Sequence, residues 1–478
     1  MTHLEAWFAE AVQLQQAGNL TGASLAWRRL LSRHPDFSDG WINYATCLRR
    51  SGRLEEAREA LLKAGAAGES VPLLLERAEI LLGSGLAEEA LAAQLRALDL
   101  EPTNLPARFG LGRLYHRLGR SREALAADEA ALALAPRHPG ALVNRSASLL
   151  RLQRTSEAIA DARLAVALEP GNALGHLNLG IALLQDGQLA EGFREYEHRW
   201  SVPAIAAFDP QLGLPRWEGG SFAGRTLLLW AEQGLGDSLM MLRYLPQVRA
   251  RGGRVVLRLQ PSLLRLAQGV DVDLLVGEDE VPPPADLQAP LMSLPHLLGP
   301  EPIPPAPYLP MPAPATAPQR DGIAARLAAH PGRKVGLVWA GNAVHQDNAY
   351  RCLPPETLAG LAQVPGITWV GLQRWEDGPP TPPPLPLVDL GDLLTDFCDT
   401  AFALSQLQGL VTVDTSVVHL AGALGLPAHL ILAHAPDWRW QLHRADSPWY
   451  PSVRLYRQPM DGDWAGAVAA VAQDLARP

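Results

Sequence analysis

Lysine is almost missing from this 478-residue chain: of 41 basic side chains, only Lys63 and Lys334 are lysines. Any site that needs positive charge must therefore use arginine, which offers a rigid planar fork of donors. Cysteine is scarce as well. Cys47, Cys352 and Cys398 are odd in number and far apart, which argues against a disulfide framework and leaves no zinc-ligand spacing. No apolar run is suited to spanning a bilayer, since Val417–Ala433 is broken by Gly422, Gly425, Pro427 and His429. The opening Met1-Thr2-His3-Leu4-Glu5 lacks the basic and apolar regions of a secretory signal. A net charge of −9 gives no electrostatic footprint for nucleic acid. These absences lead to the expectation of a cytoplasmic chain without membrane span or nucleic-acid partner.

A globular composition is present, with 47% hydrophobic and 19% charged residues, and the chain is too long for one core. Its first 200 residues are periodic. Gly18, Gly52, Gly85, Gly119 and Gly187 mark a period near 34 residues, with Gln153 in the one vacant place. Five residues after each stands a small one: Ala23, Ala57, Ala90, Ala124, Ala158 and Gly192. Pro102, Pro136 and Pro170 close successive units at intervals of 34, and Pro35 closes the first. This pattern resembles the tetratricopeptide repeat. Each unit would be two antiparallel helices, and about six units over 1–200 would stack into a superhelix with a concave face. No acid, base and nucleophile converge in this array, so it is expected to hold a protein segment and to do no chemistry. Phe193, Tyr196 and Trp200 at its end are expected to dock on the next domain.

From Thr226 onward, short apolar runs alternate with helices, the mark of an α/β sheet. Strands are predicted at Thr226–Trp230, Arg254–Leu259, Asp273–Val276, Lys334–Ala340, Ile367–Gln373, Leu387–Leu390, Leu410–Val413 and His429–Ala433. Helices are predicted near Ser238–Ala250, Pro355–Leu361, Asp396–Leu407, Ser416–Leu424 and Trp464–Leu475. Residues 282–318 hold 14 prolines and read as a chain crossing between two lobes.

Ligands of open α/β sheets gather at the carboxyl ends of strands, and three motifs fall there. The first is Gly234-Leu235-Gly236-Asp237-Ser238-Leu239, two glycines before a helix. Its last residue departs from the dinucleotide pattern GxGxxG, which disfavours a nicotinamide enzyme. Asp237 has two readings, a helix cap or a catalytic base. The second is the polar loop from Gly341 to Arg351, where Asn342 and His345 could hydrogen-bond a phosphate and Arg351 could neutralise it. The third is Asp414-Thr415-Ser416 with His419, where hydroxyls and a helix start could seat a diphosphate; caps and a packing histidine are the alternative. Asp271-Val272-Asp273 and Asp461-Gly462-Asp463 resemble metal-binding acids but lack converging partners, so no metal or other cofactor is expected.

Taken together, these motifs resemble a bacterial family that fuses tetratricopeptide repeats to a GT-B glycosyltransferase domain similar to the ADP-heptose heptosyltransferases. The resemblance rests on Trp230 to Asp237, the Gly341–Arg351 loop, the Asp414-Thr415-x-x-x-His419 turn, Pro436 to Trp440 and Asp446 to Tyr450. Some flagellin-modifying glycosyltransferases and the O-GlcNAc transferases share the layout. It implies an α plus α/β chain: the repeats at 1–200, then two Rossmann-like lobes at 201–300 and 321–478 joined by a linker at 301–320. It further implies a metal-independent, inverting transfer from a nucleotide-sugar donor to a protein acceptor, flagellin being one candidate. Asp237 would be the base. The donor would meet Gly234, Gly236, Gly341, Asn342, His345, Arg351, Gln373, Asp414, Thr415, Ser416 and His419. Ser416 stands where those enzymes usually have glycine, and Asp347-Asn348 and Ala343 also depart from the family's loop. The alternatives are an inactive repeat scaffold with a vestigial GT-B domain, and a transferase acting on lipid or polysaccharide.

Overall fold

Twelve helices run from His3 to Tyr196 in the computed structural model, which describes residues 3–311, 317–341, 348–374 and 383–477. They are α1 (His3–Gln16), α2 (Leu20–Arg33), α3 (Ser38–Arg50), α4 (Leu54–Ala64), α5 (Val71–Gly83), α6 (Ala87–Leu100), α7 (Leu105–Arg117), α8 (Ser121–Leu134), α9 (Pro139–Arg151), α10 (Thr155–Leu168), α11 (Ala173–Asp186) and α12 (Leu189–Tyr196). The periodic residues account for the turns between paired helices. Gly18, Gly52, Gly85 and Gly119 have φ of +76°, +78°, +80° and +71°, and Gln153 adopts the same left-handed conformation at +59°. That conformation disfavours any side chain, so the one departure from glycine is a tolerated strain within an otherwise uniform turn. The alanines at 23, 57, 90, 124 and 158 are completely buried where helices cross. Asn19 and Asn104 cap helices, accepting the N–H of Gly22 and Ala107 at 2.9 Å each.

The chain folds as two compact units, Met1–Asn178 and Leu179–Pro478. The division falls inside α11, so the end of the last repeat belongs to the second unit. There α11 and α12 cross glycine on glycine. A Cβ at Gly180 would stand 2.8 Å from the Tyr196 backbone nitrogen, and one at Gly192 only 3.0 Å from that of Leu184. This is why the sixth small residue is glycine where the other five are alanine.

The rest of the second unit is α/β with two parallel sheets. The first contains β1 (Thr226–Trp230), β2 (Arg254–Leu259), β3 (Leu274–Gly277) and β4 (Leu287–Pro290) in the order β3-β2-β1-β4. The second contains β5 (Arg333–Val338), β6 (Ile367–Gly371), β7 (Leu387–Asp389), β8 (Gly409–Val413), β9 (Ala428–Leu432) and β10 (Val453–Arg457) in the order β10-β9-β8-β5-β6-β7. Neighbouring strands are parallel throughout, for example Leu229 beside both Leu257 and Ala289.

Two strands depart from the sequence reading. β4 and the helix Leu294–Leu298 lie inside 282–318, which therefore is not solely a crossing linker. The polar Gln288 within β4 is satisfied in place, accepting from Trp230 Nε1 at 3.1 Å and donating to the Leu214 carbonyl at 2.8 Å. β10 is an edge strand whose exposed Arg454 is paired with Asp474 at 2.6 Å. Among the described residues, no helix is long and apolar enough to cross a membrane.

Candidate functional site

β1 ends at Trp230 and the chain continues Ala231-Glu232-Gln233-Gly234. Glu232 sits beside the crevice between β1 and β4, where the strand order reverses and open sheets usually take ligands. Here the protein fills the place itself. The fully buried Arg199, just after α12, donates to both Glu232 oxygens at 2.9 and 2.8 Å, to Glu197 at 2.6 Å and to Ser293 Oγ at 2.9 Å. The Met292 N–H, following β4, donates to Glu232 Oε1 at 3.0 Å. The guanidinium also lies 4.9 and 4.8 Å from the ring centres of Tyr196 and Trp200. Burial alone would lower the Arg199 pKa; Glu232 and Glu197 more than reverse this, so the guanidinium stays charged, while burial pushes the Glu232 carboxyl up against the pull of Arg199. The aromatic residues expected to dock do so around it. Phe193 is edge-on to Trp438 and Trp449 at 5.6 and 6.4 Å, Gln233 Nε2 donates to the Tyr196 hydroxyl at 3.0 Å, and Trp200 packs on Trp230 at 5.5 Å.

The helix Leu235–Met241 begins at Gly234, and Asp237 lies in its first turn. Asp237 Oδ2 accepts the Gly234 N–H at 2.9 Å, while Oδ1 accepts from Arg439 Nη2. Arg439 is itself held by Asp437 at 2.7 Å and stacked 4.2 Å from the Trp438 ring centre. Burial would lower the Arg439 pKa, but Asp237 and Asp437 drive it upward overall. Neither the Arg199–Glu232 pair nor the Asp237–Arg439 pair was drawn from the sequence. The only signals were a glutamate after a buried strand and arginine between tryptophans in Trp438-Arg439-Trp440.

Gly236 packs on His419: a Cβ there would meet His419 Cδ2 at 2.7 Å. His419 is buried, with Nδ1 2.9 Å from the Tyr450 hydroxyl and its ring 5.3 Å from that of Trp440. Burial, then Arg439, Arg243 and Arg351, hold its pKa well below the ordinary histidine range, so it is neutral. Arg243 is buried without a carboxylate partner among the described residues. It donates to the carbonyls of Met240 and Trp449 at 3.0 and 2.9 Å, amid Tyr308, Trp449 and Tyr450.

At the end of β8, Thr415 Oγ1 is 3.4 Å from Thr412 Oγ1, and Ser416 opens the helix Ser416–Ala423. Gln373 Oε1 accepts the Ala340 N–H at 3.1 Å, and the Gly341 N–H donates to Cys352 Sγ at 3.4 Å. Arg351 closes the short helix Asn348–Arg351. Asn342 and His345 lie outside the described residues. Two of the acids set aside as metal sites are engaged locally: Asp273 accepts from the Val255 N–H at 2.7 Å and pairs with Arg249, and Asp463 caps Trp464–Leu475 through the Gly466 N–H at 2.8 Å.

Asp414 is pushed up to about 6, by burial first and then by the charge of Asp437, against the opposing pull of Arg351. A folded pKa above the free value of ~3.9 means that its contribution is fully present below that value. It is lost as pH rises through about 6. Asp414→Asn should therefore raise the unfolding free energy at pH 7 by roughly 1–2 kcal/mol, after allowance for partial solvent screening. Urea titrations should show the gain vanishing near pH 4. A variant less stable than wild type at pH 7 would mean that partners, not burial, govern this carboxyl.

The tetratricopeptide repeat family matches residues 8–72, 75–139 and 144–201, so the N-terminal region is a tetratricopeptide array. The chain is 28% identical over 329 residues to Protein FlbA of Caulobacter vibrioides, covering 62% of this chain and 54% of FlbA. It thus spans about half the length of that curated relative. Among solved structures it is similar to TTC0263, a tetratricopeptide protein of Thermus thermophilus (22% identity, 38% of this chain, 99% of that chain, TM-score 0.34). It is also similar to PilF of Pseudomonas aeruginosa (20% identity, 43% of this chain, 92% of that chain, TM-score 0.37). A third is YrrB, a tetratricopeptide protein with an unusual peptide-binding site (22% identity, 34% of this chain, 86% of that chain, TM-score 0.29). The expectation of a glycosyltransferase enzyme is corrected here: the family match concerns the tetratricopeptide repeats, and none of the relatives named above is described as a sugar transferase.

Proposed function

We propose that the chain is a protein-interaction scaffold. In this reading the repeat array receives a segment of a partner protein, as stacked helical repeats are built to do. The two parallel sheets suit the two-lobed GT-B arrangement, but without sugar transfer. Asp237 carries the reading. A general base must offer a carboxylate oxygen to the hydroxyl it deprotonates. Here one oxygen accepts a backbone N–H and the other is ion-paired with Arg439. Asp237 is thereby a cap and an ion-pair partner. The end of β8 would remain a seat for a nucleotide sugar that is bound and not turned over. Ser416 and Thr415 lie at a helix start there, and Arg351 has a buried Nε with no acceptor among the described residues.

The test is nucleotide release by the purified full chain from UDP-, GDP-, CMP- and ADP-sugars, for wild type and Asp237→Asn. Both should match buffer alone, and both should cross-link to the same partner through the array. Release by wild type that Asp237→Asn abolishes would overturn the scaffold reading.

A further inference from the structure

We infer that the first two repeats carry a pocket for an acidic protein segment with an apolar residue beside the acid. The inference rests on the scaffold reading and gives it a location and a chemistry. Between α2, α3 and α4 lies a surface pocket of about 550 Å³, within the usual range for ligand sites. Leu25, Trp41 and Tyr44 form an apolar and aromatic wall, and Arg28, Arg29 and Lys63 supply cations.

The wall and the cations are unequally satisfied. Arg29 is paired with Glu10, and Glu56, which senses Arg28, is bonded by Arg53. Among the described residues, Arg28 and Lys63 make no ion pair. The Lys63 ammonium instead lies 4.6 Å from the Trp41 ring centre, which holds one of the chain's two lysines at the pocket. Leu25, on the same wall, is 61% exposed. A single exposed leucine is ordinary; one sharing a concavity with two aromatic rings and two unpaired cations is a composite surface.

A carboxylate entering this pocket would meet both unpaired cations, and an adjacent aliphatic side chain would take water off Leu25 and Trp41. One exposed ion pair contributes little, so recognition needs the charge and the apolar contact together. Nucleic acid fits poorly, because the chain as a whole carries a net charge of −9 and would repel it.

The probe is a fluorescein-labelled peptide of repeated Asp-Leu-Glu triplets, with an Asn-Leu-Gln peptide as neutral control. Fluorescence anisotropy is measured on the full chain, on Arg28→Glu/Lys63→Glu and on Leu25→Ser, with folding checked by circular dichroism. The acidic peptide should bind wild type, and the neutral peptide should bind at least about tenfold more weakly. The charge-reversed variant should lose a similar factor for the acidic peptide and gain binding to a Lys-Leu-Arg peptide. Leu25→Ser should also weaken the acidic peptide. Undiminished binding to the reversed variant, or no binding by wild type, would overturn the pocket. Full displacement by millimolar pyrophosphate, with Leu25→Ser silent, would reduce it to a small-anion site and overturn the segment proposal. Failure of the scaffold reading has a separate signature, nucleotide release that depends on Asp237.

Discussion

Arg199→Met should lower the unfolding free energy of the second unit by about 3–5 kcal/mol, the cost of leaving a buried charge without its partner. Glu232 is almost wholly buried and loses two charge-assisted hydrogen bonds, and Glu197 and Ser293 lose one each. Methionine fills much of the volume, so the effect isolates the charge. Urea unfolding followed by tryptophan fluorescence suits the measurement, because Trp200 and Trp230 are 5.5 Å apart beside the pair. Arg199→Met/Glu232→Gln should recover part of the loss, since the stranded carboxylate is then gone. A single-variant loss below about 1 kcal/mol, typical of exposed pairs, would show that water reaches Glu232.

The next largest effect is expected at Arg439. Its guanidinium is buried and separates Asp237 from Asp437, with Asp414 within electrostatic reach of both Arg439 and Asp437. Arg439→Met should cost about 2–3 kcal/mol at pH 7.5, less than at Arg199 because Asp437 is exposed enough for water to screen it. The deficit should depend on pH. Without the cation, the Asp414 carboxyl loses one of the charges that hold it down and is pushed further upward, so the loss is largest where Asp414 ionises and shrinks toward pH 4. Denaturant titrations across pH 4–8 check this. A deficit independent of pH would assign the effect to lost packing on Trp438.

The repeat array was legible because each period repeats a backbone requirement: a left-handed residue at the turn and a residue no larger than alanine at the helix crossing. Most strands were legible because both faces are buried, as in Leu227–Trp230 of β1. β4 escaped because it is four residues long, carries Gln288 and ends in a proline. Its polar side chain is satisfied by Trp230 and Leu214, distant in sequence. The same limit applies at the site. Asp237 could be placed on a helix start from its glycines, but its partner Arg439 is 202 residues away. No local pattern distinguishes a free base from a paired one. Gly236 and His419 were each visible, but the close approach that makes glycine necessary there was not. Asn342 and His345, read from the same polar loop as Arg351, fall outside the described residues.

The crevice beside β1 has a consequence for what can compete there. Arg199 behaves as a tethered ligand whose local concentration is set by a short stretch of chain, on the order of millimolar or more. A freely diffusing metabolite with a guanidinium or ammonium group would have to exceed that level and also strand Glu197 and Ser293. The sheet is thus shut at its most receptive point without any moving lid.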